Sequence, residues 1–364
     1  MRTPATLQLI ATRLGLSKTT VSVALRGKPG VSDAMRARII AEAAKLGYRP
    51  NPVAAELMSM VRSRRKRQTA ETIAFINTFR EDPTLLFRIR TFHDFFTGAQ
   101  EQAALYGYKL EEFRVGGSRM SSDRLDGVLK ARGLRGVIVG PRWFDEPEIT
   151  IDWNAYSCVL VGETTYGASI YRVCNHHAHT TELALTKLAA LGYRRIGLQL
   201  VANYESVRHF DFLAGVEPAQ RAVGDATRFI VQVQPRVSSP RNLLVPPEER
   251  QAQYLDYTNR HVIPKIAEWV QKERLDALVT LAGYDINTIR SIRTHRNQPL
   301  GFARLDVHPD EPCTGVVQHG RDIGRTAMDL LRSLLHAGER GVAPRPRVLL
   351  VEGEWFPGET APPV

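Results

Sequence analysis

The first fifty residues have apolar positions at intervals of three and four, which is the spacing of one face of an α-helix. The inner faces that this spacing predicts are Leu7, Ile10, Ala11 and Leu14 in a first helix, Val21, Ala24 and Leu25 in a second, and Met35, Ile39, Ala43 and Leu46 in a third. Thr6, Ser17 and Ser32 precede these helices at positions where a hydroxyl caps free N–H groups. We therefore predict three short helices joined by tight turns.

From residue 72 onwards, short apolar runs alternate with longer amphipathic stretches. Strands are predicted at 72–77, 108–113, 136–140, 158–162, 195–201, 277–281, 299–303, 315–318 and 347–352, and helices near 92–106, 121–132, 179–191, 206–222, 250–273, 285–296 and 321–336. This alternation is typical of parallel sheets that are covered on both faces. Nine strands are more than one such sheet holds comfortably, so two Rossmann-like lobes are predicted. The Pro-rich stretch 233–248 is predicted to be a surface loop.

The net charge of the chain is +11, and it is distributed very unevenly. Residues 1–67 contain 14 Lys and Arg against 3 Asp and Glu, whereas residues 68–364 contain 35 of each kind. The whole excess therefore lies in the first fifth of the sequence. A local positive field of this size attracts a polyanion, most plausibly DNA or RNA, while the neutral remainder has a different task.

Three cysteines, Cys158, Cys174 and Cys313, are widely spaced and form no C-x-x-C pair, which argues against a disulfide framework or a thiolate zinc site. This usage fits a reducing cytoplasm. No run of 18 apolar residues is present, so no membrane span is predicted. Arg13 interrupts the apolar stretch that a secretory signal would need. We expect a cytoplasmic protein.

The order helix, tight turn, helix over residues 6–26 is typical of a helix-turn-helix, whose second helix enters the major groove of DNA. The run ATLQLIATRLGLSKTTVSVALRGKPGVSDAMRARIIAEAAKLGYRPNPVAAEL, residues 5–57, resembles the head of the LacI/GalR family of bacterial transcriptional regulators. The most specific part extends from Val31 and Ser32 to the sequence LGYRPN at 46–51. LGYRRIGL at 191–198 and QHGRDIG at 318–324 are similar to landmarks of the effector domain of that family.

This resemblance implies a small all-α helix-turn-helix head and an α/β effector domain of two Rossmann-like lobes, similar to periplasmic sugar-binding proteins. The implied domains are a DNA-binding head at 1–50, a hinge helix and basic linker at 51–71, and a ligand-binding and dimerisation domain at 72–364. Within the last of these, lobe 1 is expected at about 72–174 and 318–347 and lobe 2 at about 175–305, with crossovers between them.

The second helix supplies most of the candidate DNA contacts. Lys18 can donate to guanine O6 and N7, Thr19 can bond a base edge or a phosphate, and Val23 can contact a thymine methyl group. The further candidates in the head are Thr6, Ser17 and Ser22. Many relatives have Arg where this chain has Val23, so their operator sequences do not transfer. The alternative is that Lys18 and Thr19 are merely solvated.

The segment NPVAAELMSM resembles the hinge helix of the family, with Asn51 as its N-cap. The resemblance implies that Leu57 wedges into a base step from the minor groove and that Ala54 allows close approach. Alternatively, Leu57 contacts the effector domain. The following run RSRRKR, with Arg64 and Arg65, is predicted to contact phosphates, although a solvated linker or a nuclear-localisation signal has the same composition.

Ligands of parallel α/β folds bind outside the carboxyl ends of the strands, here where the two lobes face each other. This rule nominates Asn77, Phe79, Arg142, Trp143, Glu163, Arg208, Tyr284, Asp306 and Gln318 as ligand-binding residues. Aromatic faces together with Arg, Asp and Gln suit a sugar or oligosaccharide. The chain departs from its relatives in having Phe212 where they have a ligand-binding Arg. It also has Gly283, Tyr284 and Asp285 where many of them have Asn-Asp. Each nominated residue has a structural alternative.

Three common motifs of enzymes are absent from the sequence. No P-loop, G-x-S-x-G or G-x-G-x-x-G occurs, and no catalytic residue, metal site or cofactor is predicted. His176, His177 and His179 lack the spacing at which two histidines of a helix share a metal, so they are predicted to line the cleft.

We therefore predict a homodimeric transcriptional regulator, a repressor, that binds a pseudo-palindromic DNA operator, and the resemblance implies a bacterial, nucleoid-associated protein. A small ligand, a sugar, controls its affinity for the operator. The alternatives are an enzyme or a small-molecule binding protein with an appended DNA-binding head.

Leu57→Ala tests the implied hinge. If the segment folds only on DNA, loss of the wedge lowers specific operator affinity and reduces DNA bending, while the affinity of the free protein for its ligand stays the same. Leu57→Gly is expected to be worse, because glycine lowers helix propensity by about 1 kcal/mol relative to alanine. Gel mobility of permuted operator fragments measures the bend. Unchanged DNA bending and unchanged operator affinity in Leu57→Ala would mean that residues 51–60 serve only as a tether.

Overall fold

A computed structural model of the chain describes residues 6–25, 30–48, 71–78, 90–115, 120–142, 149–162, 168–201, 211–234, 256–281 and 284–364. The chain divides into two compact units, Met1–Thr69 and Ala70–Val364. The first unit corresponds to the basic end of the sequence, and the second contains all of the β-strands described here.

The first unit contains three helices, α1 (Leu7–Leu14), α2 (Lys18–Leu25) and α3 (Asp33–Lys45). Their shared core consists of Ile10, Ala11, Val21, Ala24, Ile39 and Ala43. Leu7, Leu14, Leu25, Met35 and Leu46 pack around it and are partly buried. The three helices and their inner faces are therefore confirmed, since every residue predicted to face inwards belongs to this cluster.

Side-chain caps fix where these helices begin. The Thr6 hydroxyl accepts a hydrogen bond from the Leu9 N–H at 3.2 Å, and the Ser17 hydroxyl accepts one from the Thr20 N–H at 3.0 Å. Gly15 ends α1 in the left-handed conformation, with φ of 64°. A glycine adopts this conformation at little cost in free energy. The chain therefore turns sharply at Gly15, and α2 begins three residues later at Lys18.

The second unit contains two six-stranded sheets. The first consists of β1 (Glu71–Asn77), β2 (Tyr108–Arg114), β3 (Gly136–Val139), β4 (Ser157–Val161), β5 (Tyr171–Asn175) and β11 (Val348–Val351), in the order β11-β5-β4-β3-β1-β2. The second consists of β6 (Arg195–Val201), β7 (Arg228–Gln234), β8 (Ala277–Thr280), β9 (Gly301–Arg304), β10 (Thr314–Val317) and β12 (Glu354–Phe356), in the order β12-β10-β9-β8-β6-β7. All neighbouring strands run parallel except β12, which is antiparallel to β10.

Helices cover both sheets, and each sheet has an apolar core on either side. They are α4 (Arg90–Leu105), α5 (Ser122–Ala131), α6 (His177–Ala190), α7 (Val216–Val223), α8 (Ile263–Glu273), α9 (Ile286–Ser291) and α10 (Gly320–Ala337). The residues of β3 and β4 are all buried, as expected for central strands of a parallel sheet. The predicted fold class, a helical head with two Rossmann-like lobes, is confirmed.

Three strands were not predicted: β5, β7 and β12. β5 and β12 are short and contain polar residues, so they lack the apolar run that identified the other nine. β7 is an edge strand in which Val231 and Val233 are 37% and 40% exposed. The loop predicted at 233–248 begins inside β7, and its remainder from residue 235 lies outside the described residues.

Several predicted helices differ in extent from those described. The helix predicted at 285–296 ends at Ser291, and the one at 250–273 contains a π-helical turn at Thr258–Val262 before α8. In the stretch 206–222, the described part is a 3₁₀ turn at Leu213–Gly215 followed by α7. These differences lie at ends and irregular turns, where the apolar period gives the least information.

The chain passes between the two sheets three times, after Asn175, Val317 and Val351, as the order of the described strands shows. Lobe 2 therefore extends to Val317, past the expected limit of 305, because β10 belongs to the second sheet. Likewise β11 extends lobe 1 past 347, and β12 returns the chain to lobe 2. The crossovers are bonded together: the Asn175 side-chain amide donates to the Gln318 carbonyl at 3.2 Å, and the His176 N–H donates to the Val351 carbonyl at 2.9 Å.

Two glycines let α4 and α10 approach closely on one face of the first sheet. A Cβ atom on Gly324 would lie 2.1 Å from the Phe95 carbonyl oxygen, and one on Gly98 would lie 2.0 Å from that of Arg321. Real Cβ atoms do not come so close to backbone atoms, so any larger residue must separate the helices.

Gly324→Ala is therefore expected to lower the free energy of unfolding by about 1–3 kcal/mol, the usual cost of overpacking. Gly127→Ala in α5 is the matched control, because no atom lies within 4 Å of its added methyl group. The control is expected to stabilise the protein by about 0.5–1 kcal/mol through helix propensity. Urea unfolding measures both variants, and equal midpoints for the two would contradict the close packing.

Candidate functional site

The beginning of α2 lies on the surface of the helical head. Ser17, Lys18 and Thr19 are exposed, whereas Val21 and Ala24 are fully buried against α1 and α3. The helix therefore turns its polar N-terminal residues outwards because its apolar residues are held in the core.

Ser22 and Val23 follow one turn later on α2 and are half-buried. Because residues four apart lie on the same side of a helix, Ser22 and Val23 continue the side on which Lys18 and Thr19 lie. The Thr6 and Ser17 hydroxyls lie at helix N-termini, where backbone N–H groups favour an anion such as phosphate.

Nine of the predicted site residues lie outside the residues that the structure describes. They are Asn51, Ala54, Leu57, Arg64 and Arg65 among the DNA candidates, and Phe79, Trp143, Glu163 and Arg208 among the ligand candidates.

A cavity of about 460 Å³ lies between the two lobes of the second unit. It contains two of the predicted ligand residues, Asp306 after β9 and Gln318 after β10. Its other lining residues are Arg90, Thr91, Asp94, Arg304, Val307, His308, Pro309, Glu311, Val317, His319, Gly320, Arg321, Asp322 and Arg325. The wall thus has both kinds of charge in equal number.

Ion pairs compensate several of these charges. The Arg304 guanidinium is 2.7 Å from the Glu311 carboxylate, and that of Arg321 is 3.4 Å from Asp94. Burial, and next the positive charge of Arg90, lower the pKa of His308. A wall of compensated charges offers many hydrogen-bonding groups without a strong net field, which suits a ligand rich in hydroxyl groups.

Asn77 and Arg142 lie at the carboxyl edge of the first sheet. Asn77 is buried at the end of β1 and donates to the Glu112 carboxylate at 2.8 Å. Arg142 follows β3 and is half-buried. The Thr78 hydroxyl donates to the Pro141 carbonyl at 3.1 Å, which joins the two strand ends. Neither Asn77 nor Arg142 lines the cavity of 460 Å³.

Tyr284 has a structural position in lobe 2. Its ring is buried in the core between the second sheet and α8, and its hydroxyl donates to the Gln199 side-chain oxygen at 2.8 Å. Gln199 and Tyr284 thus form a buried polar pair near the carboxyl ends of β6 and β8. Tyr284 also does not line the cavity of 460 Å³.

The three histidines of the H-H-x-H run lie at the first crossover. His176 caps α6, since its Nδ1 accepts a hydrogen bond from the His179 N–H at 2.9 Å. The His177 ring packs on Phe212, with ring centroids 4.2 Å apart. A second cavity of about 240 Å³ is lined by Arg172, Asn175, His176, His177, Ala178, Asp211, Val348 and Leu350. Within the described parts of the chain, no group of three or more His, Cys, Asp or Glu is arranged to hold a metal ion.

Several cavity residues were not predicted, among them Thr91, Arg304 and His308. Arg304 ends β9, and His308 follows two residues after Asp306, so the rule on strand ends nominates both as readily as Asp306. Thr91 gives no such signal, because it belongs to the beginning of a helix of lobe 1 and reaches the site only where the first turn of α4 meets the loop after β9.

No helix among the described residues has the length and apolar character that crossing a membrane requires.

Comparisons with known proteins agree with this architecture. Residues 6–51 match the family model described as bacterial regulatory proteins, lacI family. The HTH-type transcriptional regulator Rv3575c of Mycobacterium tuberculosis is 32% identical over 200 residues, which are 54% of this chain and 52% of that protein. The chain thus spans about half the length of the curated relatives that it matches.

Solved structures of regulators share the fold over almost the whole chain. The complex of the transcriptional regulator CelR with cellobiose has a TM-score of 0.56 at 19% identity and covers 98% of this chain and 99% of its own. The lac repressor dimer bound to operator and the anti-inducer ONPF has a TM-score of 0.52 at 19% identity, covering 99% and 100%. The resemblance that the head of the sequence predicts is confirmed: residues 6–51 match the lacI family of bacterial regulatory proteins, and the solved regulators have the same fold.

Proposed function

We propose that this protein is a sequence-specific DNA-binding repressor whose affinity for its operator is set by a sugar bound between the two lobes. The observation that supports this most directly is the exposed beginning of α2, with Lys18 and Thr19 outwards and Val21 buried, inside the segment that matches the family model. An exposed polar helix start on a strongly basic domain is suited to the major groove.

On the DNA side, Lys18, Thr19, Ser22 and Val23 read base edges in this proposal. Thr6, Ser17, Arg64 and Arg65 contact phosphates, while Asn51 begins a hinge helix in which Ala54 and Leu57 enter the minor groove. The protein acts as a homodimer on a pseudo-palindromic operator, as befits two recognition helices related by a two-fold axis. The similar lac repressor structure is a dimer bound to operator.

On the ligand side, Asp306 and Gln318 bind the sugar in the cavity of 460 Å³. The further nominated residues are Phe79, Trp143, Glu163 and Arg208, which lie outside the described residues, and Asn77, Arg142 and Tyr284, which do not line this cavity and would bind a ligand only in a different arrangement of the lobes. The compensated charges of the cavity wall support a hydroxyl-rich ligand, and the similar CelR structure contains cellobiose. Binding changes the relative population of two lobe arrangements, and the hinge reports the change to the DNA.

Selection of bound fragments from random DNA tests the proposal as a whole. We expect the recovered sites to be two inverted half-sites, because a two-fold dimer presents two α2 helices related by the same symmetry. Size-exclusion chromatography with light scattering measures the stoichiometry of the complex. Recovery of a single non-repeated half-site bound by one chain would overturn the dimeric arrangement.

Lys18→Ala tests the reading of bases by α2. We expect discrimination at one base pair per half-site to fall by about 1–3 kcal/mol, because a bidentate contact to guanine is lost. Lys45→Ala is the matched control, since Lys45 is an exposed lysine at the C-terminal end of α3. It removes the same charge and should leave the order of preferred sequences unchanged. An equal loss on all sequences for Lys18→Ala would assign Lys18 to a phosphate instead.

A further inference from the structure

The loop that follows β9, residues 305–311, reaches from lobe 2 onto the first turn of α4 in lobe 1. The Thr91 hydroxyl donates to the Asp306 carboxylate at 2.6 Å. One residue earlier on α4, the Arg90 guanidinium is 2.6 Å from the Asp310 carboxylate. We name residues 305–311 the strap, because two of its acidic side chains bond the other lobe.

The strap is held firmly within lobe 2. Leu305 and Val307 are buried, and their N–H groups donate to the Thr280 and Val316 carbonyls at 2.9 Å and 3.0 Å. At its far end Glu311 pairs with Arg304, the last residue of β9. The strap therefore moves together with the second sheet.

The partner surface is equally fixed within lobe 1. Phe95, one turn after Thr91, is buried in the core of the first sheet, and Gly98 packs directly against the backbone of α10. The contact consequently joins two bodies that each have a sheet and apolar cores of their own. Their covalent connections are the three crossovers, of which the second lines the cavity at Gln318 and His319.

We infer that the strap is a latch that holds the two lobes at their resting separation in the absence of an effector. Asp306, Val307, His308 and Pro309 line the cavity of 460 Å³ together with Thr91, so a ligand there meets both halves of the latch. A ligand hydroxyl can replace the Thr91 hydroxyl on Asp306 and keep the carboxylate hydrogen-bonded. The latch therefore opens when a ligand hydroxyl replaces the Thr91 hydroxyl. The link between the latch and operator binding rests on the proposed function.

The two contacts of the latch differ in strength. Arg90 and Asp310 are 48% and 58% exposed, and exposed ion pairs contribute little because water and salt screen them. The bond from Thr91 to Asp306 is partly buried, short and made to an ionised acceptor, which is the stronger kind. Thr91 is therefore the residue whose removal should open the latch.

Thr91→Val tests the latch, because it removes the hydroxyl and keeps the shape of the side chain. Thr97→Val is the matched control on the same helix, since the Thr97 hydroxyl donates to the His93 carbonyl inside lobe 1. Spin labels are attached through Leu105→Cys in lobe 1 and Lys272→Cys in lobe 2, both exposed positions, while the native cysteines are buried. Labelled protein is diluted with unlabelled protein, so that each assembly contains one labelled chain.

Pulsed electron paramagnetic resonance then measures the distance between the lobes without DNA or ligand. We expect one narrow distance population in the parent and in Thr97→Val, and a shifted or added population in Thr91→Val. Thr91→Ser, which restores the hydroxyl, should return the parent distribution and exclude misfolding as the cause. Identical distributions for Thr91→Val and Thr97→Val would overturn the latch.

The same variants are titrated with the operator recovered by DNA selection. A changed operator affinity in Thr91→Val, with none in Thr97→Val, supports the coupling between latch and DNA. A shifted distance with unchanged operator affinity overturns that coupling. Failure of the parent protein to bind any operator would overturn the proposed function, whereas the latch is decided by the distance measurement alone.

Discussion

The architecture of the second unit depends on the constraint that parallel strands impose on their connections. A parallel pair needs a crossover that returns the chain to the same end of the sheet, and helices on both faces provide most of these crossovers. Every sheet thereby acquires two apolar cores of its own, and the two lobes share none of them. Among the described residues, the lobes meet at the crossovers, the cavity and the strap, where charged and polar side chains lie beside a few apolar ones.

The uneven charge of the chain separates two kinds of chemistry. Residues 1–67 have the whole net charge, and the head within them has a small apolar core, so the stability of the head and its attraction for a polyanion come from different residues. The neutral remainder places its charges in opposed pairs around the cavity, as with Arg304 and Glu311. The first part of the chain thus has an uncompensated positive charge, whereas the remainder has charges that compensate one another.

The sequence predicted the head almost completely, because its signals are local. The period of the apolar residues identified the buried faces, and the hydroxyls of Thr6 and Ser17 identified the helix starts. Strands such as β3 and β4 were found because they are apolar throughout. β7 was missed because an edge strand is half solvated and its pattern resembles that of a loop.

The site was predictable only as far as strand ends define it. Asp306 and Gln318 were nominated because each follows a strand, and the cavity brings them together. The contact from Thr91 to Asp306 joins residues 215 positions apart, so it depends on the placing of a whole helix against another lobe. No local pattern contains that information. For the same reason, no pattern in the sequence showed that Tyr284 would turn its hydroxyl towards Gln199 inside the core.

The third crossover has a consequence for the synthesis of the chain. β11, an edge strand of the first sheet, and β12, an edge strand of the second, lie within the last seventeen residues. The Thr360 carbonyl and hydroxyl also bond the backbone of Phe302 in β9. Both sheets of the nascent protein are therefore incomplete until residues 348–356 have been made. The two lobes obtain their last described strands almost together, although most strands of the first sheet are made much earlier.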